Sequence, residues 1–573
     1  MTPPRPRFGQ PGGGGGGAQP HDAARPAAAQ AGYQTATGGG ARAGTGGGGG
    51  TARGERSRIG SNSRPGPLSQ TGSGTVRGAW RGPVAVFLGI PFARAPVGPL
   101  RFAAPTPPLT WTGVRDAVEY GPTTDRVQIP DHIMPESVVP GDETLNLNVF
   151  TPGLGDGEPA RLAVMVWFHG GGFLSGSPKN LWYEGASFTR DGVVVVSVDY
   201  RLGVDGFGLI EGAVDNRGVL DWIAALEWVQ DNIAAFGGDP ARVTIAGQSA
   251  GGGAVLTLLG IPRAQPLFRA AISLSGALGD VPRRRAAAFT GHIAAQAGVR
   301  PDRAGFASLT EEQIVRLQDR EIRRLPLARA LITGTLPTGP MIDGQLMSRP
   351  TLNSMAAGVG ADKPALIVTA DQEQAGAIQE WLPAAADRLP VRLALALFGL
   401  DRPTRRHYRR VGAGEPTRTV MGRVSTDLIF RRLALETVAA RAQTGRDWTG
   451  GGGQAGGRAA SWLARVAWPA PSLGAAVHCV DLPFFFDLLA DPTVERLIGA
   501  GAPQALADEL HGAAVKLIKG EDPPWEAWTP GRGATRVLDA VCRTELDGYA
   551  DVRALSRPGR RHYPVAGQPG RAR

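Results

Sequence analysis

Only two cysteines, Cys479 and Cys542, occur in 573 residues. That excludes a disulfide-built scaffold and a cysteine-rich zinc site. Lysine is almost as scarce, at Lys179, Lys363, Lys516 and Lys519, so nearly all of the 61 basic residues are arginine, which reads as a chain-wide compositional bias. Long apolar runs are missing. Stretches such as Leu162 to Phe168 fall far short of the roughly 18 residues that a membrane-spanning helix needs. The first 30 residues lack the apolar core of a secretory leader, so a cytoplasmic location is expected. With 20% charged residues and no Gly-X-Y period among the glycines, neither a coiled coil nor a collagen-like chain is possible.

Glycine and proline are abundant instead, 83 and 47 residues, and they are unevenly placed. Runs such as Gly12 to Gly17 and Gly46 to Gly50 bury nothing that could offset the entropy of ordering them. Residues 1–70 are therefore predicted to be a disordered Gly/Pro/Arg-rich tail, and 556–573 a disordered basic tail. The formal charge of +10 belongs to these tails: the first holds eight arginines against Asp22 and Glu55, the second five arginines and no acid. Residues 71–555, read as one folded domain, are close to neutral. A nucleic-acid partner is not expected of that domain, and weak binding of the tails to a polyanion is the alternative to their having no function. Nothing in the sequence specifies an oligomer.

Within the domain, Val84 to Leu88 reads as strand-like, and Ala163 to Phe168 and Val193 to Val198 are apolar without alternation, the pattern of parallel strands covered on both faces. Val219, Leu220, Ile223, Leu226, Val229 and Ile233 recur at helical spacing between Asn216 and Phe236, and Gly237-Gly238 supplies a stop. Strands are expected again at Val243 to Ala246, Ala271 to Leu274, Ala365 to Val368 and Leu463 to Trp468. Strand and helix in alternation indicate an α/β fold with a mostly parallel central sheet and helices on both faces. Gly450 to Gly457 reads as an inserted surface loop.

Gly247-Gln248-Ser249-Ala250-Gly251 matches G-x-S-x-G, a pattern that so glycine-rich a chain produces by chance about 0.4 times. Its context is more specific. A strand precedes it and an apolar helix follows, the sharp turn that pushes a serine hydroxyl above a sheet. An attacking serine needs donors for the oxyanion it generates. His169-Gly170-Gly171-Gly172-Phe173, at the end of a buried strand, can supply the N–H groups of Gly171 and Gly172, with Ala250 adding a third. A phosphate-binding loop would need a Gly-Lys-Ser/Thr ending, which is absent.

Among eight histidines, His478 lies on a loop after the last strand and beyond every candidate acid, which makes it the candidate base. His407 is embedded among arginines that disfavour its protonation. His511 falls on a helical stretch. The acid should follow a strand between serine and histidine, and Asp371 and Glu373 both do; residue mechanics leave the two open. Asp343, in Ile342-Asp343-Gly344, reads as a turn aspartate.

Several segments together resemble the type-B carboxylesterase family, which includes bacterial p-nitrobenzyl-esterase-like enzymes and the cholinesterases. They are Phe87 to Ala93, Leu145 to Phe150, His169 to Phe173, Asp199 to Gly203, Phe236 to Pro240 and Gly247 to Gly252. The resemblance spans roughly residues 71–545. It implies an α/β-hydrolase fold, no cofactor or metal, and a small-molecule carboxylic ester hydrolysed through an acyl-enzyme. It aligns Ser249 with the nucleophile, Glu373 with the acid and His478 with the base, and it is the reason for preferring Glu373 to Asp371. The chain departs from the family pattern at Gln248, where glutamate is usual, and at Thr144, where a cysteine is usual. No tryptophan lies between Asp125 and Asp142 to stack a choline group. The alternatives are a catalytically silent interaction protein on the same fold, which would typically have lost the serine or histidine, and an amidase.

Overall fold

The computed structural model describes residues 65–126, 138–154, 160–324, 336, 338–397, 400–443, 459–553 and 555. The two predicted tails and the Gly450 to Gly457 loop lie outside the described residues, apart from 65–70 of the first tail. An eleven-stranded sheet organises them. Its order is Arg543–Glu545, Thr535–Leu538, Ser461–Val466, Ala365–Ala370, Ala270–Leu274, Gly238–Gln248, Leu162–Phe168, Val193–Val198, Asn146–Thr151, Val84–Pro91 and Ala79–Arg81. From Thr535–Leu538 to Val193–Val198 every neighbouring pair is parallel. Both edges are antiparallel.

The mixed edges refine the expectation of a mostly parallel sheet. Asn146–Thr151 is buried at every position, like the parallel strands, so burial on two faces removes the alternation that would have marked it as antiparallel. A further difference lies at the amino end. Ordered structure begins before residue 71, with Leu68–Thr71 pairing with Gly74–Arg77. A four-residue edge strand among Gly, Pro and Ser carries too little periodicity to be seen in sequence.

Why the central runs do not alternate is plain in the Leu162–Phe168 strand. Val164, Val166 and Phe168 join one core with Val219, Trp222, Leu226 and Val255, on the helices Arg217–Asn232 and Ala250–Leu259. Ala163, Met165 and Trp167 join the opposite core with Leu506, Leu510 and Leu517 of the helix Gln504–Lys519. Each fully buried aliphatic side chain contributes about 1.5–3 kcal/mol relative to exposure. Both faces of the strand are therefore held with comparable strength, and its carboxyl end is delivered in a fixed direction.

One buried ion pair ties the end of the neighbouring Val193–Val198 strand to the helix Arg217–Asn232. Arg201, just past the Val193–Val198 strand, donates from Nε and Nη2 to the two carboxylate oxygens of Asp221, at 2.9 and 2.7 Å. Both residues are buried. Removing the acid leaves an uncompensated guanidinium in the core, the costly half of breaking such a pair. Asp221→Asn should lower the unfolding free energy by about 3–5 kcal/mol in equilibrium urea titrations; a loss under 1 kcal/mol would show that the pair is not what pins the helix.

Candidate active site

Ser249 joins the end of the Gly238–Gln248 strand to the start of the Ala250–Leu259 helix, at φ 59° and ψ −122°. A serine held in this sparsely populated region stores strain that the surrounding packing must sustain. The packing is explicit: a methyl group on Gly251 would collide with the carbonyl oxygen of Phe168, and one on Gly247 with the backbone of Gly251. Only glycine lets the elbow press against the neighbouring strand end. The Ser249 N–H donates to the Leu274 carbonyl at 2.9 Å, which fixes the turn from the other side.

The imidazole of His478 lies between Ser249 and Glu373. Its Nε2 is 2.8 Å from Ser249 Oγ, and its Nδ1 is 2.6 Å from Glu373 Oε2. The other carboxylate oxygen of Glu373 accepts from Ser275 Oγ and from the Ala370 N–H, both at 2.7 Å. Glu373 is thus buried and fully engaged, while 24% of the His478 side chain remains open to solvent. Burial pulls the imidazole pKa down, but the hydrogen bond and charge of Glu373, helped by Asp481, outweigh it and leave His478 above its ordinary value. The ring of Phe430 covers one face of the imidazole, 4.9 Å between centroids.

Asp371, the other acid left open by residue mechanics, is turned away and forms an ion pair with Arg465, which also holds Glu545. Two residues along a strand exit separate a carboxylate facing the histidine from one facing the far edge of the sheet. Other histidines are engaged elsewhere: His511 contacts the Phe485 carbonyl and Asp191, and His292 contacts Glu321. His407 has its pKa lowered by partial burial first and by Arg410 second, so the cations that the sequence points to are the smaller cause. Asp343 accepts from the Gln345 and Met347 N–H groups, as a turn aspartate does.

Gly171 and Gly172 take φ of 111° and 63°, and a methyl group on Gly170 would approach Ser249 Cβ to 3.1 Å. The glycine loop therefore lies against the serine. Sequence reasoning passed over what holds it there. His169 is completely buried, its ring stacks on Tyr200 at 4.3 Å, and the Tyr200 hydroxyl donates to the His169 carbonyl at 2.8 Å. Gln248, in the place of the usual glutamate, directs its Nε2 to Cys479 Sγ at 3.2 Å and to His478 Nε2 at 3.3 Å. The side chain hydrogen-bonds without adding a negative charge.

A second buried acid was also missed. Asp481 follows His478 by three residues, and its Oδ2 lies 3.5 Å from the Ser275 hydroxyl that serves Glu373. Burial first, then the charge of Glu373, pushes its pKa up to about 7. The signal available in sequence was an acid three residues after a candidate base, but that spacing has many structural uses.

A sequence profile described as the carboxylesterase family matches residues 66–391. The chain is 30% identical over 519 residues to the para-nitrobenzyl esterase of Bacillus subtilis, covering 85% of this chain and 98% of that one. Similarity to the phenmedipham hydrolase of Pseudarthrobacter oxydans is also 30%, over 86% and 98% of the two chains. Among solved structures, a carboxylesterase of Geobacillus stearothermophilus superposes with a TM-score of 0.73 at 31% identity, covering 85% and 99%.

The raised pKa of Asp481 has a consequence for stability. Between the ordinary aspartate pKa and about 7, the folded state holds a proton that the unfolded state releases, so this group makes the protein less stable as pH rises across that window. Asp481→Asn removes the penalty. The variant should gain on the native chain from pH 4 to pH 8, by up to about 4 kcal/mol, in paired urea titrations. A constant difference across that range would mean that Asp481 is ionised throughout.

Proposed function

The chain belongs to the carboxylesterase family and is a carboxylic ester hydrolase, and from that premise we propose that it works by a Ser-His-Glu triad through a covalent acyl-enzyme. The observation that carries this reading is the continuous hydrogen-bonded line from Glu373 through His478 to Ser249. Neutral His478 takes the proton of Ser249 Oγ as that oxygen attacks the ester carbonyl carbon. The N–H groups of Gly171, Gly172 and Ala250 receive the oxyanion. His478 then passes its proton to the leaving alkoxide, the C–O bond breaks, and the acyl group stays on Ser249. Water, deprotonated by the same imidazole, repeats the sequence and frees the carboxylic acid.

Each part has a physical task. Glu373 holds Nδ1 protonated, so that Nε2 presents its lone pair to the serine, and its charge stabilises the imidazolium formed in the transition state. Ser275 and the Ala370 N–H keep that carboxylate from rotating. The substrate is a small-molecule ester, with no cofactor taking part in the chemistry. Because His478 must be neutral to act as base and its pKa is raised, kcat/KM should fall on the acid side with a midpoint above 6.5.

Ser249→Ala should lower kcat for a p-nitrophenyl ester by about 10⁴–10⁶ and abolish labelling by a serine-directed organophosphonate. Unchanged turnover would refute the nucleophile. Glu373→Gln should cost about 10³–10⁴ in kcat, whereas Asp371→Asn should stay within about tenfold. The reverse ranking would transfer the role of the acid to Asp371.

A further inference from the structure

One surface has no part in the site. The segment from Arg388 to Arg410 contains seven arginines and a single acid, Asp401, whose side chain caps a helix by accepting from the Thr404 N–H at 2.8 Å. The bias toward arginine over lysine explains which cation is used. It does not explain a local excess of cations over acids in a domain that is otherwise slightly acidic. The helix Arg402–Val411 buries Tyr408, whose hydroxyl donates to Asp427 at 3.0 Å, and leaves Arg402, Arg406, Arg409 and Arg410 exposed.

The helix Val391–Leu397 packs against it and is unusual in a different way. Ala394 and Leu395 are buried, while Leu393 and Leu397 are 46% and 70% exposed; Leu389, four residues before Leu393, is 41% exposed. Leu393 and Leu397, four apart on the solvent side of the helix, form a ridge, and Leu389 is exposed in the extended segment just before it. Arg388 and Arg392 are exposed among them.

We propose that this apolar ridge and its basic rim dock the protein onto an anionic phospholipid surface. The leucines would enter the acyl boundary while the guanidinium groups pair with headgroup phosphates. A soluble polyanion would satisfy the arginines and leave the leucines in water, so the lipid surface accounts for both features. Among the described residues no helix is long and apolar enough to cross a membrane, so the attachment is peripheral. The docked face reaches the site through Tyr408 and Asp427, because Asp427 begins the π-helical turn Asp427–Arg431 that carries Phe430 onto His478. An esterase so placed would meet apolar esters where they concentrate.

The test uses the full chain with vesicles of phosphatidylcholine, with and without phosphatidylglycerol. Co-sedimentation should occur with the anionic vesicles and weaken as salt is raised. A membrane-restricted photoactivatable probe should label residues 389–397. L393S combined with L397S should lower the vesicle partition coefficient about tenfold and leave turnover of soluble p-nitrophenyl acetate unchanged, which shows that the variant is folded. R406Q with R410Q should reduce the preference for anionic vesicles. The basic tails are present in every variant and cancel from these comparisons. Label confined to residues outside 389–397 would overturn the proposal. So would undiminished partition of the leucine variant, and if the arginine variant alone lost binding, the surface would be a polyanion site instead.

Discussion

The site depends on how closely two backbones can approach. The end of the Leu162–Phe168 strand passes the elbow after Gly238–Gln248 with no room for a side chain, since any Cβ on Gly251 would overlap the Phe168 carbonyl. That contact sets the distance between Ser249 and the glycine loop that begins immediately after Phe168. Were the strands a side chain farther apart, a serine on one and backbone donors on the other could not face the same small group. Both faces of the strand are buried in separate cores, so the approach is held from two sides and cannot relax by tilting.

Electrostatic order is built on that scaffold. Glu373 enters from the next layer of strand exits with both carboxylate oxygens engaged, and its remaining freedom is spent on the imidazole. Replacing the usual glutamate with Gln248 keeps a polar group beside His478 without a further charge. The protein nonetheless retains a second carboxylate in the same buried region, Asp481, linked to the first through Ser275. Burial first, and the nearby charge of Glu373 second, make Asp481 hard to ionise. Glu373, the acid that faces the imidazole, is held by the Ala370 N–H as well as by Ser275.

The surface tells a complementary story about composition. Chain-wide preference for arginine obscures where cations collect, and the tails account for the overall basic charge. Only when the helices Val391–Leu397 and Arg402–Val411 are seen packed together do exposed leucines and outward guanidinium groups become one surface. The first helix carries the leucines and the second most of the arginines. Their juxtaposition combines an apolar ridge with a cationic rim.

Much of this was readable before any coordinates. Runs without alternation announced strands buried on both faces, the periodicity from Val219 to Ile233 announced a helix, and Gly247 to Gly251 after a strand announced a serine hydroxyl turned out above the sheet. These signals are local, because strand and helix periods and glycine turns arise within a few residues of backbone. Choosing Glu373 over Asp371 was beyond such signals. The two acids share a turn, and what separates them is the direction each side chain takes: one toward His478, about a hundred residues later, the other toward Arg465. Asp481, Phe430 and the Tyr200–His169 stack were hidden for the same reason. Residue types and local periods determined the central parallel strands, the two helices that follow them at Arg217–Asn232 and Ala250–Leu259, and the serine elbow; the antiparallel edges and the partners of each buried polar group were decided by the tertiary structure, because hydrogen bonds and charges act through space and not along the chain.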